Sequence, residues 1–247
     1  MSILVEACVD SVASAVAAER GGARRLELCD NLFDGGTTPS AGMIVAVKAA
    51  VRIPVFVIVR PRGGGFVYSD VELGVMRLDI DAARMLGADG VVVGCLTRDA
   101  RIDVEHLRIL RDGAGDMPIT FHRAFDVIRD QDQALETLIA ERIQRVLTSG
   151  GAPSAIDGAS AIGALVKRAS GQIEIVAGGG VREENVQELV HRTGVREVHV
   201  RGTRVLDVPM SGAREGIRFR KAMPSAEGAW EETHERRIAE IVRLASG

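Results

Sequence analysis

Eight short apolar segments alternate with longer helical segments along the chain, and this alternation constrains the fold more than any other feature. The strand candidates are Ile3–Cys8, Arg25–Cys29, Pro54–Arg60, Gly90–Cys95, Pro118–His122, Arg145–Thr148, Ile173–Ala177 and Glu197–Arg201. Several are nearly continuous apolar runs, such as Val-Phe-Val-Ile-Val at 55–59. Such runs are typical of parallel strands that are covered on both faces.

Eight strand–helix units in 247 residues indicate an α/β chain folded as a (β/α)8 TIM barrel, which typically uses about 250 residues. We therefore predict a single domain over residues 1–247. A doubly wound sheet is the rival, but eight units are many for it, and no Gly-x-Gly-x-x-Gly turn follows the first strand. Residues 207–228 contain prolines and glycines without a periodic pattern, which predicts an irregular elaboration after strand eight.

Helix starts carry capping signals between the predicted strands. Ser40 precedes a helical segment, and Ser69 with Glu72 forms the pattern of a capping box, in which each residue satisfies a backbone N–H of the other. Asp10 is the residue that we expect to cap the first helix. These signals support helices between the strands.

Composition excludes several classes of protein. A net charge of −3 is too mild for electrostatic binding of nucleic acid, and three cysteines do not make a disulfide scaffold. Glu6 interrupts the first apolar run, so the N-terminus does not read as a signal peptide, and no apolar stretch reaches the ~18 residues of a membrane span. We expect a soluble cytoplasmic protein with reduced thiols that binds neither nucleic acid nor membrane.

The predicted strand ends carry the residues on which a functional hypothesis depends. Active sites of TIM barrels lie at the C-terminal ends of the strands, and residues two apart on a strand face the same side. Glu6 and Cys8 therefore share a face of strand one, and Glu27 and Cys29 share a face of strand two. This parity predicts two acids and two thiols pointing into the barrel from adjacent strands.

The two thiols are suitably spaced for a soft metal ion. Adjacent strands lie about 4.8 Å apart, and two sulfurs on opposite sides of one ion would lie about 4.6 Å apart. Cys8 and Cys29 could thus hold Cu(I), which soft thiolates select, but two thiols are too few for a closed zinc site. Two small buried residues or an adventitious disulfide are the alternatives. Cys95 is interpreted as a core residue, and no organic cofactor is evident.

Further polar residues and glycines follow strands three to eight. The candidates for catalysis, beside Glu6 and Glu27, are Arg60, His122, Arg123 and Asp126. The candidates for binding an anion or cofactor are Arg62, Ser149, Gly150, Gly178, Gly179, Gly180, His199 and Arg201. Barrels commonly bind phosphate after strands seven and eight, where glycines expose backbone N–H groups to an anion.

These residues favour an enzyme that acts on a small anionic or phosphorylated substrate. Glu27 or His122 would be the general base or acid, and arginines would hold the anion. A structural layer of ion pairs from Glu6, Glu27 and Arg60 that fills the barrel is the plain alternative, because buried charges need partners. A scaffold that acts through its oligomer surface is a third hypothesis, which no residue singles out.

Seven ordered segments resemble the CutC family of copper homeostasis proteins. They are Glu-Ala-Cys-Val-Asp-Ser, Gly-Gly-Ala-Arg-Arg-Leu-Glu-Leu-Cys, Gly-Gly-Thr-Thr-Pro-Ser, Arg-Pro-Arg-Gly-Gly-Gly-Phe-Val-Tyr-Ser-Asp, Thr-Phe-His-Arg-Ala-Phe-Asp, Arg-Val-Leu-Thr-Ser-Gly-Gly and Ala-Gly-Gly-Gly-Val. The resemblance implies a TIM barrel, a cytoplasmic location, homodimers or higher oligomers, and Cu(I) bound by Cys8 and Cys29. After His199 the chain departs from the pattern, since Arg201 and Gly202 follow where relatives usually carry Ser-Ala.

Overall fold

The computed structural model describes residues 3–208 and 228–247. Eight parallel strands close into a barrel in chain order, and β8 pairs with β1. The barrel strands are β1 Leu4–Val9, β2 Arg25–Leu28, β3 Val55–Ile58, β4 Gly90–Val93, β5 Ile119–Phe121, β6 Arg145–Thr148, β7 Glu174–Gly178 and β8 Glu197–Val200. The predicted TIM barrel is confirmed, and each observed strand overlaps one strand candidate.

Helices pack around the barrel. They are α1 Val12–Arg20, α2 Ala41–Ala50, α3 Asp70–Met85, α4 Val104–Ala114, α5 Gln131–Ala140, α6 Ala159–Ala169, α7 Val186–Thr193 and α8 Glu235–Ser246. Short 3-10 helices span Leu32–Asp34 and Arg123–Val127. Across the described ranges, none of the helices combines the length and the apolar character that a membrane span requires.

The caps predicted at Ser40 and at Ser69 with Glu72 are confirmed, and the one predicted at Asp10 is not. The Ser40 side chain accepts a hydrogen bond from the Met43 N–H, and Ser69 and Glu72 form the complete capping box. The prediction for Asp10 was wrong. Ser11 is the extended residue just before α1, and its hydroxyl accepts from the N–H three residues later, which is the geometry that a cap needs.

A two-stranded antiparallel sheet follows the barrel and was not predicted. Its strands are β9 Thr203–Asp207 and β10 Ala229–Thr233. The sheet is tied to α1, because the Thr233 N–H donates to the Ser14 hydroxyl at 3.1 Å. Most of the segment predicted to be irregular, residues 209–227, lies outside the described residues.

Apolar side chains form two separate layers. The larger layer lies between the barrel and its helices and includes Ala7 and Leu28. The smaller one is formed by Cys8, Cys29, Phe56, Ile58 and Val92. Neighbours in the sequence, such as Ala7 and Cys8, therefore enter different layers, as the alternation of strand residues predicted.

Glycines along β4 make room for large side chains of the neighbouring strands. A Cβ atom at Gly90 would lie 2.7 Å from the ring of Phe56, and one at Gly94 would lie 2.3 Å from the ring of His122. Both distances are too short for a side chain. The missing side chains at Gly90 and Gly94 thus allow Phe56 and His122 to fill the barrel at close-packed density.

Candidate functional site

Cys8 and Cys29 lie side by side, from adjacent strands. Their Sγ atoms are 3.8 Å apart, and both residues are free thiols. The Cys29 thiol also faces a carboxylate oxygen of Glu27 at 3.4 Å. Together these three residues offer one donor atom each within 4.8 Å of one another. The Glu-x-Cys pattern has therefore brought two sulfurs and one carboxylate together at a spacing that one metal ion could bridge.

His199 joins the two acids to form a second cluster. Its Nδ1 lies 2.7 Å from Glu6 Oε1 and 3.5 Å from Glu27 Oε2. The barrel register causes this contact, because Glu6 on β1 is paired with His199 on β8. Glu6, Glu27 and His199 also have one ligand atom each within 4.8 Å of one another. The sequence had placed His199 with the anion-binding residues and not with the acids.

The charges of this second cluster are strongly interdependent. Burial opposes ionisation of Glu6, but Arg25 and His199 outweigh it and lower the pKa of Glu6 to about 2. Burial also works against a charged His199, yet Glu27, Cys8 and Glu6 raise its pKa well above the ordinary value. Burial dominates at Glu27 and raises its pKa to about 8. The surroundings thus favour an anionic Glu6, and they raise the pKa of both His199 and Glu27.

The two thiols differ in acidity because they share one hydrogen bond. That bond from Cys29 is the largest effect on Cys8, and together with His199 it lowers the pKa of Cys8 to about 5 against the effect of burial. The same bond, with burial, raises the pKa of Cys29 well above its usual range. The shared hydrogen bond therefore favours ionisation of one sulfur and opposes ionisation of the other.

Arg25 is the cation that the sequence analysis missed. It is 3% exposed, its Nε donates to Glu6, and its Nη2 donates to Glu197 Oε2 at 2.5 Å. The predicted layer of Glu6, Glu27 and Arg60 was thus wrong in its cation. Arg25 lies on the same face of β2 as Glu27, two residues before it. It stands at the start of the strand, whereas the predicted site residues stand at the C-terminal strand ends.

Arg60 instead holds two loops in place. Its Nη1 donates to the carbonyls of Asp34 and Gly36, both at 2.7 Å, and its Nη2 donates to the carbonyl of Gly64 at 2.8 Å. Gly36 has a positive φ of 88°, and a Cβ atom there would lie 3.3 Å from the Cys29 sulfur. The loop after β2 therefore lies directly against Cys29, and Arg60 fixes it there.

Two further candidates lie apart from the thiols. Arg62 pairs with Glu72 at 2.5 Å, at the start of α3. His122 is buried; its Nδ1 accepts from the Ala124 N–H at 3.1 Å, and its ring centroid lies 5.0 Å from that of Phe66. Burial, followed by the charge of Arg60, lowers the pKa of His122 to about 3. Arg62 thus braces a loop, and His122 is a neutral packed side chain.

Asp126 positions Arg123 at the end of β6. Its carboxylate accepts from Arg123 Nε at 2.7 Å and from the Ser149 N–H at 2.9 Å, while Arg123 Nη2 donates to the Ser149 hydroxyl at 2.7 Å. The guanidinium then lies over Gly179, where a Cβ atom would be 3.1 Å from its carbon and where φ is 106°. Only glycine readily combines that φ with so close a contact. Gly150, also with positive φ, packs against the Gly158 carbonyl.

A cavity of about 700 Å³ opens at the C-terminal end of the barrel; we name it the mouth cavity. Cys8 and His199 line it, together with Gly179 and Gly180. Its lining carries five arginines, Arg123, Arg182, Arg201, Arg204 and Arg237, and one carboxylate, Glu231. Three of these arginines were not found from the sequence: Arg182 lies in the loop after β7, Arg204 in β9 and Arg237 in α8.

Arg201 belongs to this lining and is paired with its one carboxylate. Its Nη2 lies 3.0 Å from Glu231 Oε2, and its Nε is buried without a hydrogen-bond partner among the described residues. Gly202 follows with a φ of 55°, and a Cβ atom there would lie 2.6 Å from Ile238. The Arg-Gly pair thus turns the chain out of β8 and leaves one guanidinium N–H of Arg201 in need of an acceptor.

The sequence and the fold of the chain are similar to those of one family of known proteins. The CutC family matches residues 3–204, which include all eight barrel strands. The human copper homeostasis protein cutC homolog is 48% identical over 219 residues, covering 89% of this chain and 78% of that protein. A family protein CutC of Xylella fastidiosa, strain Temecula1, is 43% identical over 242 residues, covering 98% and 88%. The crystal structure of a copper homeostasis protein CutC from Streptococcus agalactiae superposes with a TM-score of 0.77 at 40% identity, covering 80% of this chain and 97% of that one.

Proposed function

The chain belongs to the CutC family of copper homeostasis proteins, and from that premise we propose that it is a cytoplasmic protein that binds Cu(I) through Cys8 and Cys29. The observation that carries the proposal is the pair of free thiols 3.8 Å apart. Thiolates are soft ligands and select Cu(I) over harder ions. Free thiols also persist in the reducing cytoplasm.

The surroundings of the pair suit entry of an ion from one side. Cys8 lines the mouth cavity and is 6% exposed, whereas Cys29 is 1% exposed and covered by the loop that Arg60 fixes. A thiol loses its proton when it binds a metal, and because Cys8 lines the cavity, its sulfur is the first that an entering ion would meet. Glu27 adds an oxygen donor beside the sulfurs, which is a harder ligand than Cu(I) prefers.

Cys8→Ser and Cys29→Ser are each expected to weaken Cu(I) binding by about tenfold or more, since each removes one of two sulfur ligands. The measurement is an anaerobic titration in competition with a chromophoric Cu(I) chelator. Cys95→Ser is the matched control, because Cys95 lies in the outer apolar layer, where its thiol faces the Asp103 carbonyl at 3.5 Å. Equal affinity in wild type and both test variants would contradict the proposal.

The outer face of α3 supports a second part of the proposal, self-association. Val71, Leu78 and Met85 are 78%, 70% and 79% exposed, and Val75 between them is 42% exposed. These residues recur at helical spacing and form an apolar stripe on the surface of α3. Exposed contiguous apolar surface marks interaction sites, and we propose that a second copy of the chain covers this stripe.

Leu78→Glu is expected to raise the dissociation constant of the oligomer by about tenfold or more, because it places a charge at the centre of the stripe. Light scattering coupled to gel filtration, over a dilution series, measures the change. Val127→Glu serves as control, since Val127 is also exposed, at 56%, but lies outside α3. An unchanged molar mass for Leu78→Glu at every concentration would rule this face out.

The basic mouth cavity favours a second candidate function, an enzyme acting on a small anionic or phosphorylated substrate. Arg123 and Arg201 would hold the anion, and Glu27, with its raised pKa, would donate or accept a proton. Inorganic phosphate and phosphorylated metabolites are expected to raise the melting temperature of the metal-free protein by a few degrees. A thermal-shift screen without any such stabilisation would count against this candidate.

A further inference from the structure

Building on the proposed Cu(I) site, we propose that the mouth cavity binds a small thiol that bears carboxylates, and that this thiol supplies a third sulfur ligand to Cu(I) held by Cys8 and Cys29. The inference adds a ligand class to the proposed function. It differs from the second candidate function because the anion here would be retained only together with the metal.

The spacing of the two sulfurs leaves a ligand position open. Their separation of 3.8 Å is shorter than the ~4.6 Å that two sulfurs on opposite sides of one ion require. An ion bound at this spacing would lie to one side of the line between the sulfurs, with room for a further ligand. The side of Cys8 faces the mouth cavity, while Cys29 is covered by the loop at Gly36.

The described lining of the cavity offers no other sulfur. Cys8 is the one sulfur-bearing residue among those that line the mouth cavity within residues 3–208 and 228–247. Cys95, the third cysteine of the chain, is buried in the outer apolar layer. A third soft ligand for Cu(I) would therefore come from a molecule in the cavity.

The charge of the cavity selects among small thiols. Four of its five arginines already face carboxylates: Arg123 is paired with Asp126, Arg201 with Glu231, Arg204 with Glu232 and Arg237 with Glu183. Groups that a ligand could engage remain at Arg182 and at the Nε of Arg201. Arg182 is exposed there, and the buried Nε of Arg201 has no acceptor among the described residues. Guanidinium groups bind carboxylates through paired hydrogen bonds. A thiol with carboxylates would meet these groups, whereas a thiol with masked carboxylates would not.

The volume of the mouth cavity and the chemistry of metal binding are both consistent with such a ligand. A volume of about 700 Å³ lies within the usual range of small-molecule sites, about 300–1,000 Å³. Cys8 and the arginines line the same cavity, so one tripeptide-sized thiol could reach both. Binding forms one metal–sulfur bond, the thiol proton leaves to solvent, and Cu(I) keeps its oxidation state.

The test uses the full-length protein, anaerobically loaded with Cu(I) and then dialysed against radiolabelled reduced glutathione as the probe. Glutathione diethyl ester, which has the same thiol but no free carboxylate, is the matched ligand control. We measure Cu(I) and glutathione retained per chain, and sulfur coordination by X-ray absorption. Arg182→Ala combined with Arg201→Ala removes the basic groups. Arg168→Ala is the control, because its ion pairs with Asp132 and Glu136 lie on the outer helices.

For the wild type we expect one glutathione per Cu(I)-loaded chain and a third sulfur at the metal. The double variant should retain glutathione about tenfold more weakly at unchanged Cu(I) content. Arg168→Ala should behave like the wild type. Retained Cu(I) without glutathione would overturn the inference and leave the proposed Cu(I) site intact. Equal retention of the diethyl ester, or of glutathione without metal, would overturn it as well. Failure to take up Cu(I) before any glutathione is added would overturn both proposals.

Discussion

Replacing Arg25 by methionine is expected to lower the free energy of unfolding by about 3–5 kcal/mol, because the change leaves buried carboxylates without their cation. Arg25 donates to Glu6 and to Glu197, and Glu6 is fully buried. The guanidinium carbon also lies 5.3 Å from the centre of the Phe56 ring, so methionine restores part of the packing but none of the charge. Urea denaturation followed by circular dichroism measures the loss.

A double variant separates the charge from the packing. Glu6→Gln removes the carboxylate that Arg25 neutralises and keeps an oxygen that can accept from His199. We expect Arg25→Met combined with Glu6→Gln to be more stable than Arg25→Met alone by about 1–3 kcal/mol, the usual coupling between contacting residues. If the two single effects were simply additive, the buried charge of Glu6 would not be the cause of the loss.

This buried pair also links the stability of the barrel to the geometry of the site. Glu6 is held by Arg25 on one side and accepts from His199 on the other, and His199 in turn interacts with Cys8. A change at Arg25 would therefore reach the thiol site through Glu6 and His199. Arg25, at the start of β2, thus influences the charge at the mouth of the barrel.

The barrel and the thiol pair were predictable because both depend on local periodicity. Apolar alternation marks the strands, and residues two apart share a face whatever the rest of the chain does. The register of β1 and β2 pairs Cys8 with Glu27. Cys29 comes two residues after Glu27, just beyond β2, so it lies on the same face and next to Cys8. The same rule explains why Ala7 and Leu28 enter the outer layer.

Contacts between distant segments were not predictable in this way. Glu6 meets His199 because the barrel closes β8 onto β1, and Arg25 meets Glu197 by the same closure. The loops follow even less from periodicity. Arg60 donates to three backbone carbonyls because two loops fold over it, and no alternation of residue types encodes the path of a loop.

His122 gives the second large expected effect, on the pH dependence of stability. Its Nδ1 accepts from the Ala124 N–H, so the ring proton is on Nε2, which has no hydrogen-bond partner among the described residues. A second proton would have to displace that accepted bond, in a buried place near the charge of Arg60. Burial and then Arg60 lower the pKa of His122 to about 3 in the folded chain.

The sign of the effect follows from the two states. In the unfolded chain His122 binds a proton below about pH 6.5, whereas the folded chain resists protonation down to about pH 3. Between these values the unfolded state binds more protons, so stability falls as pH falls, by up to about 1.4 kcal/mol per pH unit and about 4–5 kcal/mol in all. Glu27, with its pKa raised to about 8, acts in the opposite direction above about pH 4.5.

Comparison of variants removes that opposing contribution, because Glu27 is present in each of them. His122→Asn keeps an acceptor for the Ala124 N–H but cannot take up a proton. Between pH 6 and pH 5, we expect the free energy of unfolding to fall by about 1 kcal/mol more in the wild type than in His122→Asn. Most carboxylates of the unfolded chain are still ionised in this range. His191→Asn, at an exposed histidine of α7, should follow the wild type. Urea denaturation at each pH measures these stabilities. Parallel curves for wild type and His122→Asn would show that His122 is protonated in the folded barrel, and that burial of its neutral form does not cause the loss of stability in acid.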